Sequence, residues 1–178
     1  RVLFRSKPLG FFEGRAPLAK KTQFQELSTE QFNTLPGPLY SLLAHYDAAS
    51  TWFRKVHRLI DAFEWAVKWH TVLVMADMLR EADLPDEMKV LLSSGLRTPS
   101  LGTWNRFFRD AMAAVNSPSV PWAEWERLTA LERTHQIVSF RNLYAHGATP
   151  DEDECQTDCA KYYPVLLQLI GSPLFTDV

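Results

Sequence analysis

The stretch RNLYAHG, residues 141 to 147, places an arginine, an amide and a histidine close together. Histidine titrates near neutrality, so His146 could accept the proton of a ribose 2′-hydroxyl or protonate a leaving oxygen. The planar guanidinium of Arg141 matches phosphate oxygens and could stabilise the negative charge that develops on them. Asn142 could orient the histidine or the substrate. The residue types are therefore compatible with metal-free cleavage of a phosphodiester, and Arg141, Asn142 and His146 are the candidate catalytic residues.

The spacing limits how these side chains can meet. Asn142 and His146 are four residues apart, so a helix would place them on one face. Arg141 and His146 are five apart, which is about 140° around an ideal helix. They could converge through the reach of the arginine, through distortion of the helix end near Gly147, or across a partner chain.

A purely structural role explains the same residues. Arg141 could pair with an acid, for example one from the run DEDE at 151–154. His146 would then lie at a helix C-terminus, where positive charge is favourable. Both interpretations of the motif remain open at this stage.

The element that must position the motif is predicted to be a helix over residues 122–146. Its apolar residues follow a heptad-like spacing that becomes polar towards the C-terminal end, because His135 and Asn142 share the register of the leucines. The predicted seam consists of Leu128, Leu131, His135, Val138, Asn142 and Ala145. An arginine and an amide beside such a seam are costly to bury unless they are paired or face a cleft.

Helical periodicity dominates from residue 38 onward, and Pro and Gly cluster between the periodic segments. We predict an all-α fold, an antiparallel bundle of four to five principal helices with an irregular N-terminal arm. The arm covers 1–37, with one turn of helix after Ser28, and the bundle covers 38–178. Further helices are predicted at about 51–83, 86–93 and 101–115. A last helix is predicted to run to about residue 170, with Thr149 as its N-cap and Pro150 as its first residue.

RNLYAHG resembles the signature of the HEPN superfamily, an arginine, a polar residue that is often asparagine, and a histidine after three more residues. The preceding GLRTPSLGTWNRFF is similar to the loop and third helix of several bacterial members. The resemblance implies a helical bundle that dimerises and, as in many members, a metal-independent ribonuclease of a host-defence, toxin or stress-response system. It assigns the catalytic roles to Arg141, Asn142 and His146. The alternative is a non-catalytic helical module for dimerisation or partner binding within a larger protein.

Composition narrows the partners that we expect. The net charge of −2 argues against coating nucleic acid by bulk charge, so RNA would need a local basic pocket. No apolar run approaches the roughly 18 residues of a membrane span. Cys155 and Cys159 are predicted to be reduced thiols on one helix face, which indicates a cytoplasmic setting. From the resemblance and the polar end of the seam we expect a homodimer, with RNA as substrate and with further domains or a regulatory partner protein. We expect no cofactor or metal. The start lacks a Met and the end, SPLFTDV, has no capping signal, so we expect the chain to be a domain excised from a longer protein.

Three other clusters have an ordinary interpretation. The acidic run 151–154 is expected to complement the dipole of the last helix rather than to bind a metal. One helical stripe consists of His57, Asp61, Glu64 and Lys68, and it is predicted to be a solvated face with an i,i+4 pair. The alternative is that Glu64 or Asp61 reaches the motif as a supporting acid. Trp65 and Trp69 are expected in the core rather than as a base-stacking platform. His45 and His70 are expected to be packed or on the surface.

Overall fold

The computed structural model describes residues 29–81, 86–95, 97, 100–114, 120–147, 149–172 and 175. The predicted all-α bundle is confirmed, and no strand occurs in this part of the chain. The helices are α1 Thr29–Thr34, α2 Gly37–Ala48, α3 Trp52–Glu81, α4 Asp86–Gly95, α5 Leu101–Ala114, α6 Trp122–His135, α7 Ile137–Ala145 and α8 Glu152–Ile170. The predicted arm lies outside the described residues up to residue 28. The turn of helix expected after Ser28 is α1.

The long helix α3 forms the centre of the bundle. No proline or glycine interrupts its 30 residues, so it runs for about 45 Å. Its apolar face is buried against α2, α5 and α8. The predicted pair of Trp65 and Trp69 is stacked, with ring centroids 5.4 Å apart, and packs against this core as expected. None of the described helices is long and apolar enough to cross a membrane.

Helices α3 and α8 start at the same end of the bundle. The carboxylate of Glu152 accepts hydrogen bonds from the backbone N–H groups of Trp52, at 2.7 Å, and Phe53, at 3.5 Å. One acidic side chain in the first turn of α8 therefore also satisfies the first turn of α3. At the far end, the ring of Phe175 lies 5.0 Å from that of His70 in α3. Helix α7 runs against both helices.

The start of α8 differs from the sequence prediction. Asp151 is the N-cap, two residues after the predicted Thr149. Asp151 Oδ1 accepts from the Glu154 N–H at 2.8 Å, and Glu154 Oε2 accepts from the Asp151 N–H at 3.1 Å. This reciprocal capping box satisfies two N–H groups, which Thr149 followed by Pro150 would not achieve. The expected match of the acidic run to the helix dipole is confirmed, since three acids occupy the first turn.

The predicted continuous helix over 122–146 is wrong, because the chain breaks at Gln136. This residue is left-handed, with φ 52° and ψ 50°, a conformation that ends α6. The Glu132 carboxylate then accepts from the Val138 N–H, at 3.2 Å to each oxygen, and so caps the start of α7. Burial raises the pKa of Glu132, and the N–H groups of Val138 and Ile137 oppose that effect only in part.

The break rotates α7 relative to α6, so the predicted seam does not continue through both helices. Leu128 and Leu131 are buried in α6. In α7 the buried residues are Ile137, Phe140 and Tyr144, whereas the seam position Ala145 is exposed. Arg141 lies on the Ile137–Tyr144 side of the helix, which is the side that faces the bundle.

The two cysteines share the buried face of α8, as predicted, and both are free thiols. Burial is the main cause that raises the pKa of Cys155, and it raises the pKa of Cys159 to about 12. Both side chains are therefore neutral at physiological pH and behave as small apolar residues.

His70 is a buried polar residue inside the apolar core. Its Nδ1 lies 2.8 Å from the carbonyl oxygen of Ala66, and because a carbonyl only accepts, Nδ1 carries the proton. Nε2 is buried and has no hydrogen-bond partner among the described residues. The rings of Phe108 and Phe175 meet the imidazole edge-on at 5.9 and 5.0 Å. Burial lowers the pKa of His70, so the side chain is neutral in the folded protein.

Candidate functional site

The guanidinium of Arg141 is held from two sides. Its Nε donates to Oε1 of Glu64 at 2.8 Å, and its Nη1 donates to Oδ1 of Asn142 at 3.3 Å. The side chains of Arg141 and Glu64 are 24% and 21% exposed, so the pair is largely screened from water. No acceptor among the described residues contacts Nη2. Two of the three predicted site residues are therefore in direct contact, and the arginine keeps an unengaged N–H edge.

Glu64 is shared between two cations. Its second oxygen, Oε2, accepts from Lys68 Nζ at 3.1 Å, which is the predicted i,i+4 pair. Burial raises the pKa of Glu64, but the hydrogen bonds from Arg141 and Lys68 outweigh burial and hold the pKa below its ordinary value. The carboxylate is thus ionised near neutrality, and the cluster carries one net positive charge.

Helix packing, rather than local sequence, selects this acid. Because α7 runs antiparallel to α3, Arg141 lies beside Glu64, and one turn later the ring of Tyr144 meets that of His57 at 6.0 Å. Arg141 pairs with an acid, as the structural interpretation expected, but that acid is Glu64 and not one of the run 151–154. In that run Asp151 and Glu154 cap α8, and Glu152 caps α3. Asp61, the other supporting acid considered, pairs instead with Arg58 on an exposed face, at 3.1 Å.

His146 lies at the exposed end of α7, after its last helical residue. Its backbone N–H donates to the carbonyl oxygen of Asn142 at 3.1 Å. Gly147 follows with φ +86°, a conformation that suits glycine and ends the helix. Among the described residues, no side-chain hydrogen bond or ion pair involves the His146 imidazole. The fold therefore brings Arg141 and Asn142 into contact, whereas the His146 side chain makes no hydrogen bond to either.

Sequence reasoning missed one contact of the motif helix. The hydroxyl of Tyr144 donates to Oδ2 of Asp158 in α8 at 2.7 Å. Burial and the adjacent Asp158 carboxylate strongly raise the pKa of Tyr144, so the phenol stays protonated. The two residues are 14 apart across a helix boundary, and no spacing rule relates such positions. This bond fixes the end of α7 against α8 two residues before His146.

The described residues contain no group of three or more His, Cys, Asp or Glu side chains that could hold a metal ion. The chain has no match among family models, curated proteins or solved structures.

Proposed function

We propose that this chain is a metal-independent endoribonuclease domain of a defence, toxin or stress-response system. The observation that supports it best is the state of Arg141, which is charged, fixed by Glu64 and Asn142, and left with an open N–H edge. A donor that is already oriented stabilises developing charge without further reorganisation.

In the proposed reaction, the 2′-oxygen attacks the adjacent phosphorus and the bond from phosphorus to the 5′-oxygen breaks. The products are a 2′,3′-cyclic phosphate and a free 5′-hydroxyl. Arg141 stabilises the charge on the phosphate oxygens. His146 accepts the 2′ proton or donates a proton to the leaving 5′-oxygen. Asn142, whose amide oxygen contacts Arg141, positions the guanidinium.

A second copy of the chain completes the site in this proposal. Within one chain the His146 side chain makes no hydrogen bond to Arg141, whose guanidinium is held against Glu64 of α3. A two-fold contact between α7 ends would place each His146 near the Arg141 of the other copy. Two histidines at one cleft would also supply both an acid and a base. Light scattering that shows only monomers at micromolar concentration would contradict this assembly.

A non-catalytic helical module for dimerisation or partner binding is the second candidate. The Arg141–Glu64 pair favours it, because an ion pair between α7 and α3 also stabilises the bundle. In that case the motif ends a helix and anchors it, and no cleavage depends on it.

The decisive experiment incubates the purified chain with structured RNA in EDTA and identifies the new termini. We expect cleavage that leaves 2′,3′-cyclic phosphates and that is lost in His146→Ala. The matched control is His135→Ala, because His135 also lies at a helix C-terminus but outside the motif. Cleavage that stops on chelation, or that His146→Ala leaves undiminished, would overturn the proposal.

A further inference from the structure

A groove of about 420 Å³ lies between α2 and the first two turns of α3. Its polar lining comes from Arg54, His57 and Arg58 of α3 and from His45 of α2, and two alanines line the rest together with Phe53. None of the described residues that line it is acidic. The groove is therefore a local basic surface on a chain whose overall charge is slightly negative.

The cationic groups of the groove are available to a ligand. The Arg54 side chain is exposed and makes no side-chain hydrogen bond within the described residues. Among the described residues, the Arg58 side chain pairs with Asp61 alone, and both side chains of that pair are about half exposed. An exposed pair of this kind is weak and can exchange its partner for a phosphate.

An exposed aromatic ring stands beside these cations. Phe53 is 41% exposed, and its ring meets that of His57 edge-on at 4.6 Å. The packing against His57 restricts the ring, while its exposed part can stack on a base. Cations that follow the backbone together with an aromatic stacking surface are typical of sites for single-stranded nucleic acid.

The groove adjoins the motif helix. The His57 ring also meets that of Tyr144, which lies two residues before His146. On the side of α8, Leu143 and the residues after the motif line a different hollow, of about 590 Å³, whose acids are Asp151, Asp153, Glu154 and Asp158. A phosphate backbone would be repelled there and attracted to the groove.

We propose that the groove binds single-stranded RNA, with Arg54 and Arg58 on phosphates and Phe53 stacked on a base, and leads the strand to the end of α7. The inference rests on the proposed ribonuclease function for its choice of RNA. Residues 1–28 are a poor alternative occupant, because they carry six Arg or Lys against two Glu. The acidic hollow of a second copy is the competing occupant, and the test includes it.

The test measures the affinity of the full chain for a fluorescent, 2′-O-methylated single-stranded RNA of about 12 nucleotides. Methylation blocks the attacking hydroxyl, so binding is observed without cleavage. We expect the double variant Arg54→Gln, Arg58→Gln to bind about 10-fold more weakly or worse, and to lose about 1.4 from the salt slope for two phosphate contacts. Phe53→Ala should weaken binding about 5-fold or more with the slope unchanged.

The double variant Arg106→Gln, Arg109→Gln is the matched control, because it removes the same two charges from exposed arginines of α5. It should bind within about twofold of the unmodified chain. Groove variants that bind as tightly as this control would overturn the inference. The inference would also be overturned if the groove variants abolish self-association without changing the affinity for RNA. That result would show that the groove binds the acidic hollow of a second copy.

The two proposals fail separately. If the groove variants bind RNA weakly but His146→Ala cleaves RNA as fast as the unmodified chain, the groove is an RNA site and the proposed nuclease site is wrong. If cleavage requires His146 but the groove variants bind RNA normally, the groove is not the RNA site and the nuclease proposal is unaffected.

Discussion

Replacing Glu64 with Gln isolates the charge that holds Arg141. The amide has the same shape and keeps one acceptor oxygen, but the ion pairs with Arg141 and Lys68 are lost. Hydrogen bonds to charged groups contribute about 1.5–3 kcal/mol each. Side-chain exposure of 21–24% and the remaining amide acceptor reduce that figure, so we expect Glu64→Gln to lower the free energy of unfolding by about 1–2 kcal/mol. For a domain of this size the melting temperature should fall by about 2–8 °C.

The direction of the Glu64 pKa shift determines how the stability that this residue contributes changes with pH. The folded protein holds the pKa of Glu64 below its ordinary value, so the unfolded chain takes up the proton first as the pH falls. The stabilisation is complete above about pH 5 and disappears as the pH drops through the folded pKa. The difference between the unmodified chain and Glu64→Gln should therefore be largest near neutrality and shrink below about pH 4.5.

Urea unfolding, followed by tryptophan fluorescence at several pH values, measures these differences. Asp61→Asn is the matched control on the same helix, since the Arg58–Asp61 pair is about half exposed and should contribute about 0–1 kcal/mol. A double-mutant cycle with Arg141→Gln should give a coupling energy of about 1 kcal/mol or more. Effects that add to within about 0.5 kcal/mol would refute the argument that Glu64 fixes Arg141.

Three further predictions concern the motif, the core and the helix break. His146→Ala should reduce cleavage by about 10²–10⁴-fold and Arg141→Ala by about 10²–10³-fold, with Asn142→Ala less severe, in RNA assays that are paired with circular dichroism. A variant that unfolds would favour the structural role. Because burial lowers the pKa of His70, the unfolded state gains the proton first, and stability to urea should fall as the pH drops below about 6.5. His70→Leu should remove that slope, and a slope that persists would assign it to other groups. Only glycine adopts the φ of 52° at position 136 without strain. We therefore expect Gln136→Gly to stabilise the fold by up to about 1 kcal/mol and Gln136→Val to destabilise it. Equal urea midpoints for the two variants would contradict this prediction.

The sequence by itself determined the features that repeat locally. Helical periodicity without proline or glycine predicted α3, and the i,i+4 spacing predicted the shared face of Cys155 and Cys159 and the Glu64–Lys68 pair. Gly147 marked the end of the motif helix, and its positive φ is the reason that glycine suits the position. These features depend on residues within one or two helical turns, and such interactions can be read from spacing.

Only the tertiary structure decided the features that join distant residues. The left-handed Gln136 has no glycine signal, and the burial of Ile137, Phe140 and Tyr144 determines how α7 turns after it. Arg141 has a long side chain that could reach several acids, and its partner Glu64 is 77 residues away. Local spacing could name Glu64 as a candidate, but it could not choose between Glu64, Asp61 and the acidic run. That choice required the antiparallel packing of α7 on α3, because an ion pair forms with the acid that packing brings within reach.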